Sequence, residues 1–273
     1  MNKYMLNSIK AEAIKQHKSV YHSSLMYFSM LIWPVLDLYT AYYSYKPFEG
    51  SATSELIAKW VGDDKIFAFI LFGSISYMFF KCFVQSAWRF SYERVSGTLE
   101  LIYLTPCNRL GIMLGNALAS LFESAWMFTV FCIGALIFFT DLNISSVFML
   151  VIAILSLVIP SICWGIFMNS LFMFSRDTGI FFTVFQSPME LFGGAKIPYP
   201  AFPIWAKLAG GIFPLTWSAN IIRKIFMHGA ALIELKNELF LLSLICIGLF
   251  LLTLLLLKKS EAYARKTGNM ALF

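Results

Sequence analysis

Charged residues are scarce in this chain of 273 residues: Asp, Glu, Lys and Arg make up only 13% of it, whereas 59% of the residues are hydrophobic. A water-soluble domain of this length covers most of its surface with polar side chains. The 21 basic and 15 acidic residues are too few for that task. The composition therefore excludes a lone soluble enzyme and indicates an integral membrane protein.

Several motifs that carry chemistry are also missing. The dipeptide Gly-Lys never occurs, so the chain has no G-x-x-x-x-G-K-[ST] loop with which to hold the phosphates of ATP. The five cysteines contain no C-x-x-C pair, and the three histidines contain no H-E-x-x-H motif. These absences predict no catalytic residues, no metal ligands and no cofactor bound by this chain itself.

The net charge of +6 does not indicate a nucleic-acid partner, because the basic residues lie beside long apolar runs and form no known nucleic-acid-binding motif. Those apolar runs approach the roughly 20 residues that a helix needs to cross a bilayer. We predict an all-α integral membrane protein with six transmembrane helices. The six segments are about 20–43, 66–88, 117–139, a stretch within 142–175, a broken segment from 178, and 239–257.

Lysine and arginine near the ends of these segments set the orientation. Twelve of the 21 basic residues lie in the N-terminal arm, in the 89–109 loop, after the fourth segment and in the tail. We therefore expect both termini in the cytoplasm. The protein should be a multi-pass protein of a cell (plasma) membrane, of the bacterial inner or cytoplasmic type.

Three regions outside the spans have distinct patterns. Residues 1–19 repeat apolar side chains at helical spacing opposite lysines, which predicts an amphipathic helix on the inner membrane surface; a simple solvated arm is the alternative. The stretch of about 194–225 holds four prolines and a Gly-Gly pair. It is predicted to form external re-entrant helices between spans five and six, or a plain external loop. Residues 258–273 form a cytoplasmic tail.

The loop between the second and third predicted spans has an ordered pattern on the side assigned to the cytoplasm. At about 100° per residue, a helix over about 90–105 has one acidic face that includes a glycine and one apolar face. The acidic face can meet basic side chains of another protein, and the glycine lets that protein approach closely. The acidic face holds Glu93, Ser96, Gly97 and Glu100; the apolar face holds Val95, Leu99 and Ile102.

The sequence E-x-x-x-G-T-L-E at 93–100, followed by Thr105-Pro106, resembles the cytosolic signature of permeases of the type-2 ABC exporter family. The segment F-P-L-T at 213–216 is similar to that family's N-P-L-T segment, with Phe in place of Asn. The resemblance implies a permease that pairs with a second copy or a related permease. It also implies docking of separate ATP-binding cassette subunits, which bind ATP and Mg. A coupling helix then contacts the ATPase through Glu93, Gly97, Thr98, Leu99 and Glu100.

Such a permease would export an amphipathic drug, lipid, glycan or peptide through the bilayer. Ionisable residues at membrane depth mark candidate positions on the path. Asp37 also suits an outer interface, Lys81 can extend toward the inner one, and Glu123 can pair with a basic residue inside the bundle. The four candidates are Asp37, Lys81, Glu123 and Glu190. An ATP-independent transporter or channel is the alternative function, and a membrane-embedded enzyme or assembly factor is a third.

Overall fold

The computed structural model describes residues 3–20, 24–45, 66–98, 105, 108–138, 147–174 and 178–267. Every regular element in these ranges is helical, which confirms the all-α expectation for this part of the chain. Two 3₁₀ turns, Tyr199–Ala201 and Leu232–Leu235, join longer helices. The α-helices are α1 (Lys3–Val20), α2 (Ser24–Tyr45), α3 (Ile66–Val95), α4 (Arg109–Phe138), α5 (Val147–Phe174), α6 (Thr178–Phe192), α7 (Ile204–Gly211), α8 (Pro214–His228) and α9 (Lys236–Thr267).

Three stretches of the described chain are long and apolar enough to cross a membrane: Ile66–Arg89, Val147–Leu171 and Leu232–Lys259. They include the second, fourth and sixth predicted segments. The helix of the fourth continues through Pro160, and that of the sixth runs on to Thr267. α6 has only 15 residues, about 22 Å of helix, which is short for a hydrocarbon core of about 30 Å. The total of six spans stays a prediction.

α3 lies at the centre of the fold, packed against α2, α4, α5, α6 and α8. Phe, Tyr and Met side chains fill its surroundings, and Tyr77, Phe80 and Phe83 are almost fully buried there. α9 packs on α5 and α8 but leaves seven of its large apolar side chains exposed. Lipid or another protein must therefore cover α9 in the membrane.

Buried amides join the three helices at the middle of this bundle. Asn116 of α4 donates from Nδ2 to Oδ1 of Asn169 on α5 at 3.0 Å, and Ser86 of α3 donates to Oδ1 of Asn116. Asn169 in turn donates to the Gly165 carbonyl oxygen at 3.0 Å. Because an unpaired amide in hydrocarbon costs free energy, this closed set of bonds fixes how α3, α4 and α5 face one another.

The chain after α6 breaks into short helices. Gly194 has φ of 72°, a left-handed conformation that side chains with a Cβ rarely adopt. Pro198 and Pro203 precede the next two helical pieces, and Pro214 begins α8. At the start of α8, Phe213 makes no side-chain cap but packs its ring 5.7 Å from that of Trp164. Thr216 instead donates to the Gly210 carbonyl oxygen at 2.6 Å, which ties α8 to α7.

Arg223 of α8 fastens this broken segment to α3. Its side chain is only 5% exposed, and its guanidinium donates to the carbonyl oxygens of Phe69, Gly194 and Ala195 at 2.7 to 3.2 Å. Its Cζ lies 3.5 Å from the centroid of the Phe69 ring. A planar group with five donors suits such a set of acceptors. Arg223 thereby satisfies backbone groups that the helix break leaves without helical partners.

Gly73 gives a stability prediction at the same place. A Cβ at position 73 would overlap the Ala195 carbonyl oxygen and the Nη2 of Arg223, neither of which can move without breaking the contact just described. We expect Gly73→Ala to destabilise the protein by about 3 kcal/mol, the upper part of the usual cost of overpacking. Thermal unfolding in detergent, followed by tryptophan fluorescence, measures the change.

The matched control is Gly248→Ala in α9, where no atom lies within 4 Å of the added Cβ. There the substitution should be neutral or stabilising by up to about 1 kcal/mol, because glycine is a poor helix former. Equal unfolding temperatures for the two variants would contradict the close packing of α3 on the broken segment.

Candidate functional site

α1 docks on α4 through two glycines. A Cβ at Gly111 or Gly115 would meet the backbone or side chains of Met5, Ile9 and Glu12 at about 2.7 to 3.0 Å, so only glycine permits this close approach. The backbone N–H of Asn108 donates to Oγ of Ser8 at 3.3 Å. These contacts place Met5, Ser8, Ile9 and Glu12 of α1 against α4 and leave apolar Leu6 and Ile14 about half exposed.

This docking brings Lys15 to the end of α3. Nζ of Lys15 lies 3.0 Å from Oε1 of Glu93 and 3.0 Å from Oε2 of Glu12. Burial alone would lower the pKa of Lys15, but the charges and hydrogen bonds of Glu12 and Glu93 outweigh it and raise that pKa above its ordinary value. Lys15 is therefore charged at any physiological pH and holds two carboxylates.

Glu93 also accepts a hydrogen bond from Thr98. Oγ1 of Thr98 donates to the Glu93 backbone oxygen at 2.9 Å and to its carboxylate. Burial would raise the pKa of Glu93, but the bonds from Thr98 and Lys15 outweigh it and lower that pKa below 4.5. Because folding lowers the pKa of Glu93, its ionised carboxylate stabilises the folded state fully above about pH 4.5. That stabilisation is lost as the pH falls through the lowered pKa.

The structure corrects the prediction that Glu93 and Gly97 share one face of a helix over about 90–105. α3 continues to Val95, and Gly97 then adopts φ of 71°, so Gly97 lies in a left-handed turn and not inside a helix over 90–105. The reason is local: Thr98 folds back onto Glu93, and the turn that this requires suits only glycine. Glu93 thus belongs to the last turn of α3. Leu99 and Glu100 lie outside the described residues.

A second polar cluster links α2, α3 and α6. Lys196, just after the Gly193-Gly194 break, places Nζ 3.0 Å from Oδ1 of Asp37 and 2.8 Å from Oε1 of Glu190. The Tyr77 hydroxyl donates to Oε2 of Glu190 at 2.8 Å, and Gln186 donates to that hydroxyl at 3.3 Å. Asp37 and Glu190, distant in sequence, thus share one cation.

Glu123 of α4 pairs with a basic residue inside the bundle. Nη2 of Arg89 on α3 lies 2.9 Å from its Oε2, and the Glu123 side chain is almost fully buried. The structure therefore shows the internal pair that the sequence offered as one of two roles for Glu123. Arg89, counted above among the basic residues of the cytoplasmic loop, instead turns back to α4 because a buried carboxylate needs a partner.

A cavity of about 460 Å³ lies between α2, α3, α4 and α6, toward the Arg89 end of α3. Lys81 lines it together with the Arg89–Glu123 pair. Nζ of Lys81 lies 5.8 Å from the centroid of the Tyr77 ring. The four residues expected on a transport path therefore fall in one neighbourhood: Lys81 and Glu123 line the cavity, and Asp37 and Glu190 meet at the cluster beside Tyr77.

Sequence reasoning overlooked three residues that organise these sites: Lys15, Lys196 and Arg223. Lys15 looked like one of several lysines of a surface helix. Lys196 could have been found from its position, because it follows the Gly193-Gly194 break closely and the acidic Glu190 precedes that break. Nothing local distinguishes Arg223, whose partners are backbone oxygens on α3 and in the 194–195 turn.

The sequence matches the profile of the ABC-2 type transporter family over residues 7–227. No curated protein matches the sequence closely enough to count as a relative.

Because the match covers most of the chain, the class is settled: this is a multi-pass membrane protein and a transport permease. The chain belongs to the ABC-2 type transporter family, and the resemblance drawn from residues 93–100 and 213–216 is confirmed.

Proposed function

We propose that the chain is the transmembrane subunit of an ATP-driven ABC exporter, which forms the substrate path and docks separate ATP-binding cassette subunits. The observation that carries the proposal is the end of α3, where Glu93, Gly97 and Thr98 of the family-like motif form a turn held by Lys15. A fixed turn at the end of the central helix is suited to transmit a push from a docked protein into the bundle.

The absence of any Gly-Lys dipeptide supports the proposal that ATP binds on a separate subunit while this chain forms the substrate path. ATP and Mg would bind on the partner ATPase, and this chain would contribute no catalytic residue. Leu99 and Glu100 are proposed to contact the ATPase directly, while Glu93 sets the shape of the turn from which they continue. The apolar surface of α9 supports a second permease copy or a related permease beside this one, with lipid around both.

The proposed orientation places α1 and both termini in the cytoplasm of a cell in its plasma membrane, expected to be bacterial. Leu6 and Ile14, exposed on α1 beside its lysines, support an interfacial position for this helix. Transport would run outward, and the cargo would be an amphipathic drug, lipid, glycan or peptide.

Co-expression with the ATP-binding protein encoded beside this gene tests the proposal. The two proteins should co-purify, and Glu100→Arg should reduce the recovered ATPase about tenfold or more without changing membrane insertion, since reversing a charge at a paired contact costs at least about 1.4 kcal/mol. Glu234→Arg is the control, because it makes the same charge change at an exposed position between α8 and α9.

Two results would contradict the proposal. One is full recovery of the ATPase with Glu100→Arg, which would remove that residue from the docking surface. The other is transport by the purified chain alone in liposomes under an ion gradient, which would favour the ATP-independent transporter or channel.

A further inference from the structure

The cavity beside Lys81 combines an apolar lining with a positive charge that forms no ion pair among the described residues. Its volume of about 460 Å³ lies within the usual range of about 300 to 1,000 Å³ for small-molecule sites. One wall is flexible and apolar, a type of surface that accepts chains of varied shape. The apolar lining consists of Met30, Trp33, Pro34, Met78 and Met127.

Lys81 has no carboxylate partner among the residues that the structure describes. The acidic groups nearest to it are already engaged: Glu123 by Arg89, and Glu190 by Lys196 and by the Tyr77 hydroxyl. Nζ of Lys81 lies over the Tyr77 ring, 5.8 Å from its centroid. An ammonium with three donors at this depth is costly unless an anion meets it.

The charges of the cavity lining favour an anion. Lys81 and Arg89 contribute two positive charges and Glu123 one negative charge, so the lining is formally +1. Nε of Arg89 is also a buried donor without a hydrogen-bond partner in the described part of the chain. The group of Asp37, Glu190 and Lys196 is formally −1, but none of its members lines the cavity.

We propose that this cavity binds an amphiphile that carries one anionic group, a carboxylate or a phosphate, at Lys81 and lays its apolar chain along Trp33, Met78 and Met127. The inference rests on the proposed export function, because it names the chemical class of the cargo. The anionic group can belong to a fatty-acid-like molecule or to a lipid headgroup, and the experiment below separates these two sources.

Photolabelling of the purified chain alone, in nanodiscs of phosphatidylcholine, tests the proposal. The probe is palmitic acid with a diazirine in its chain, and the control probe is the corresponding fatty alcohol. Mass spectrometry of the labelled peptides should place the acid on the peptides of the buried Met78 and Met127 about tenfold more than the alcohol, as expected for loss of one charge-assisted bond. The exposed Phe240 and Leu244 of α9 should take up both probes equally.

Lys81→Gln should lower labelling of the cavity peptides by the acid about tenfold, and Lys81→Arg should retain most of it. Equal labelling by acid and alcohol in the wild-type protein, or unchanged labelling in Lys81→Gln, overturns the proposal. The wild-type comparison needs no substitution, so a folding defect in a variant does not affect it.

Competition identifies the source of the anion. Displacement by decanoate assigns a free single-chain acid, and displacement by phosphatidylglycerol in the nanodisc assigns a lipid headgroup; displacement by neither overturns the proposal. No ATPase is present in these measurements. Loss of specific labelling in a protein that still co-purifies with the ATPase therefore refutes the cargo class alone. Specific labelling of a protein that recovers no ATPase in the co-purification experiment refutes the exporter function alone.

Discussion

Replacing Glu93 by lysine is expected to lower co-purification of the ATPase and ATP-driven transport about tenfold or more, equivalent to at least about 1.4 kcal/mol. The substitution places an ammonium where Nζ of Lys15 lies 3.0 Å from the carboxylate, and it removes an acceptor of Thr98. Like charges at that distance repel, so α1 and the turn at Gly97 should separate. Membrane insertion should be unchanged, because position 93 lies beyond the apolar part of α3.

Exchange of the two charges distinguishes an internal role from a direct contact with the ATPase. The double variant Lys15→Glu with Glu93→Lys rebuilds an ion pair between α1 and the end of α3. It should recover about half of the lost association, since the bond from the Thr98 hydroxyl to the carboxylate and the Lys15–Glu12 ion pair stay broken. Lys18→Glu with Glu93→Lys has the same net charge but adds its carboxylate at another position of α1, and it should recover nothing. Failure of the first double variant would assign Glu93 to the ATPase surface instead.

Replacing Arg223 by methionine should destabilise the protein by about 3 kcal/mol or more. The change keeps much of the apolar volume but leaves the carbonyl oxygens of Phe69, Gly194 and Ala195 buried without their donor, and bonds to a charged group contribute about 1.5 to 3 kcal/mol each. The apparent Tm in detergent should fall by roughly 6 to 12 °C.

The neighbouring cation provides the control for this measurement. Lys224→Met removes an ion pair with Glu238 in which the lysine is 40% exposed, and such pairs contribute at most about 1 kcal/mol. A loss of stability in Lys224→Met as large as that in Arg223→Met would show that Arg223 has no special part in holding the broken segment.

The sequence predicted the residues of the 93–100 motif but not their arrangement. A helical wheel treats Glu93, Gly97 and Glu100 as one face because it assumes constant dihedral angles. The left-handed conformation of Gly97 ends that regularity, and the partner of Glu93 lies 78 positions earlier in the chain. No local pattern encodes such a pairing, because it depends on how closely Gly111 and Gly115 let α1 approach α4.

The four residues predicted on the transport path were likewise identifiable from the sequence, but their partners were not. A charge inside an apolar run is visible in any sequence, so Asp37, Lys81, Glu123 and Glu190 were identifiable from their surroundings alone. Which of them pair was not identifiable. Lys196 bonds to Asp37 across 159 positions and also to Glu190, and Arg89 returns from the predicted loop to pair with Glu123.

The sequence alone determined the membrane character, the helical class, the approximate segments and the family, because these depend on composition, on the length of apolar runs and on short motifs. Tertiary structure decided which charges neutralise one another, which backbone oxygens Arg223 satisfies, and that Lys81 faces a cavity without an acidic partner among the described residues. The physical reason is that the free energy of a buried charge depends on the few atoms within about 4 Å of it, and folding brings those atoms from distant parts of the chain.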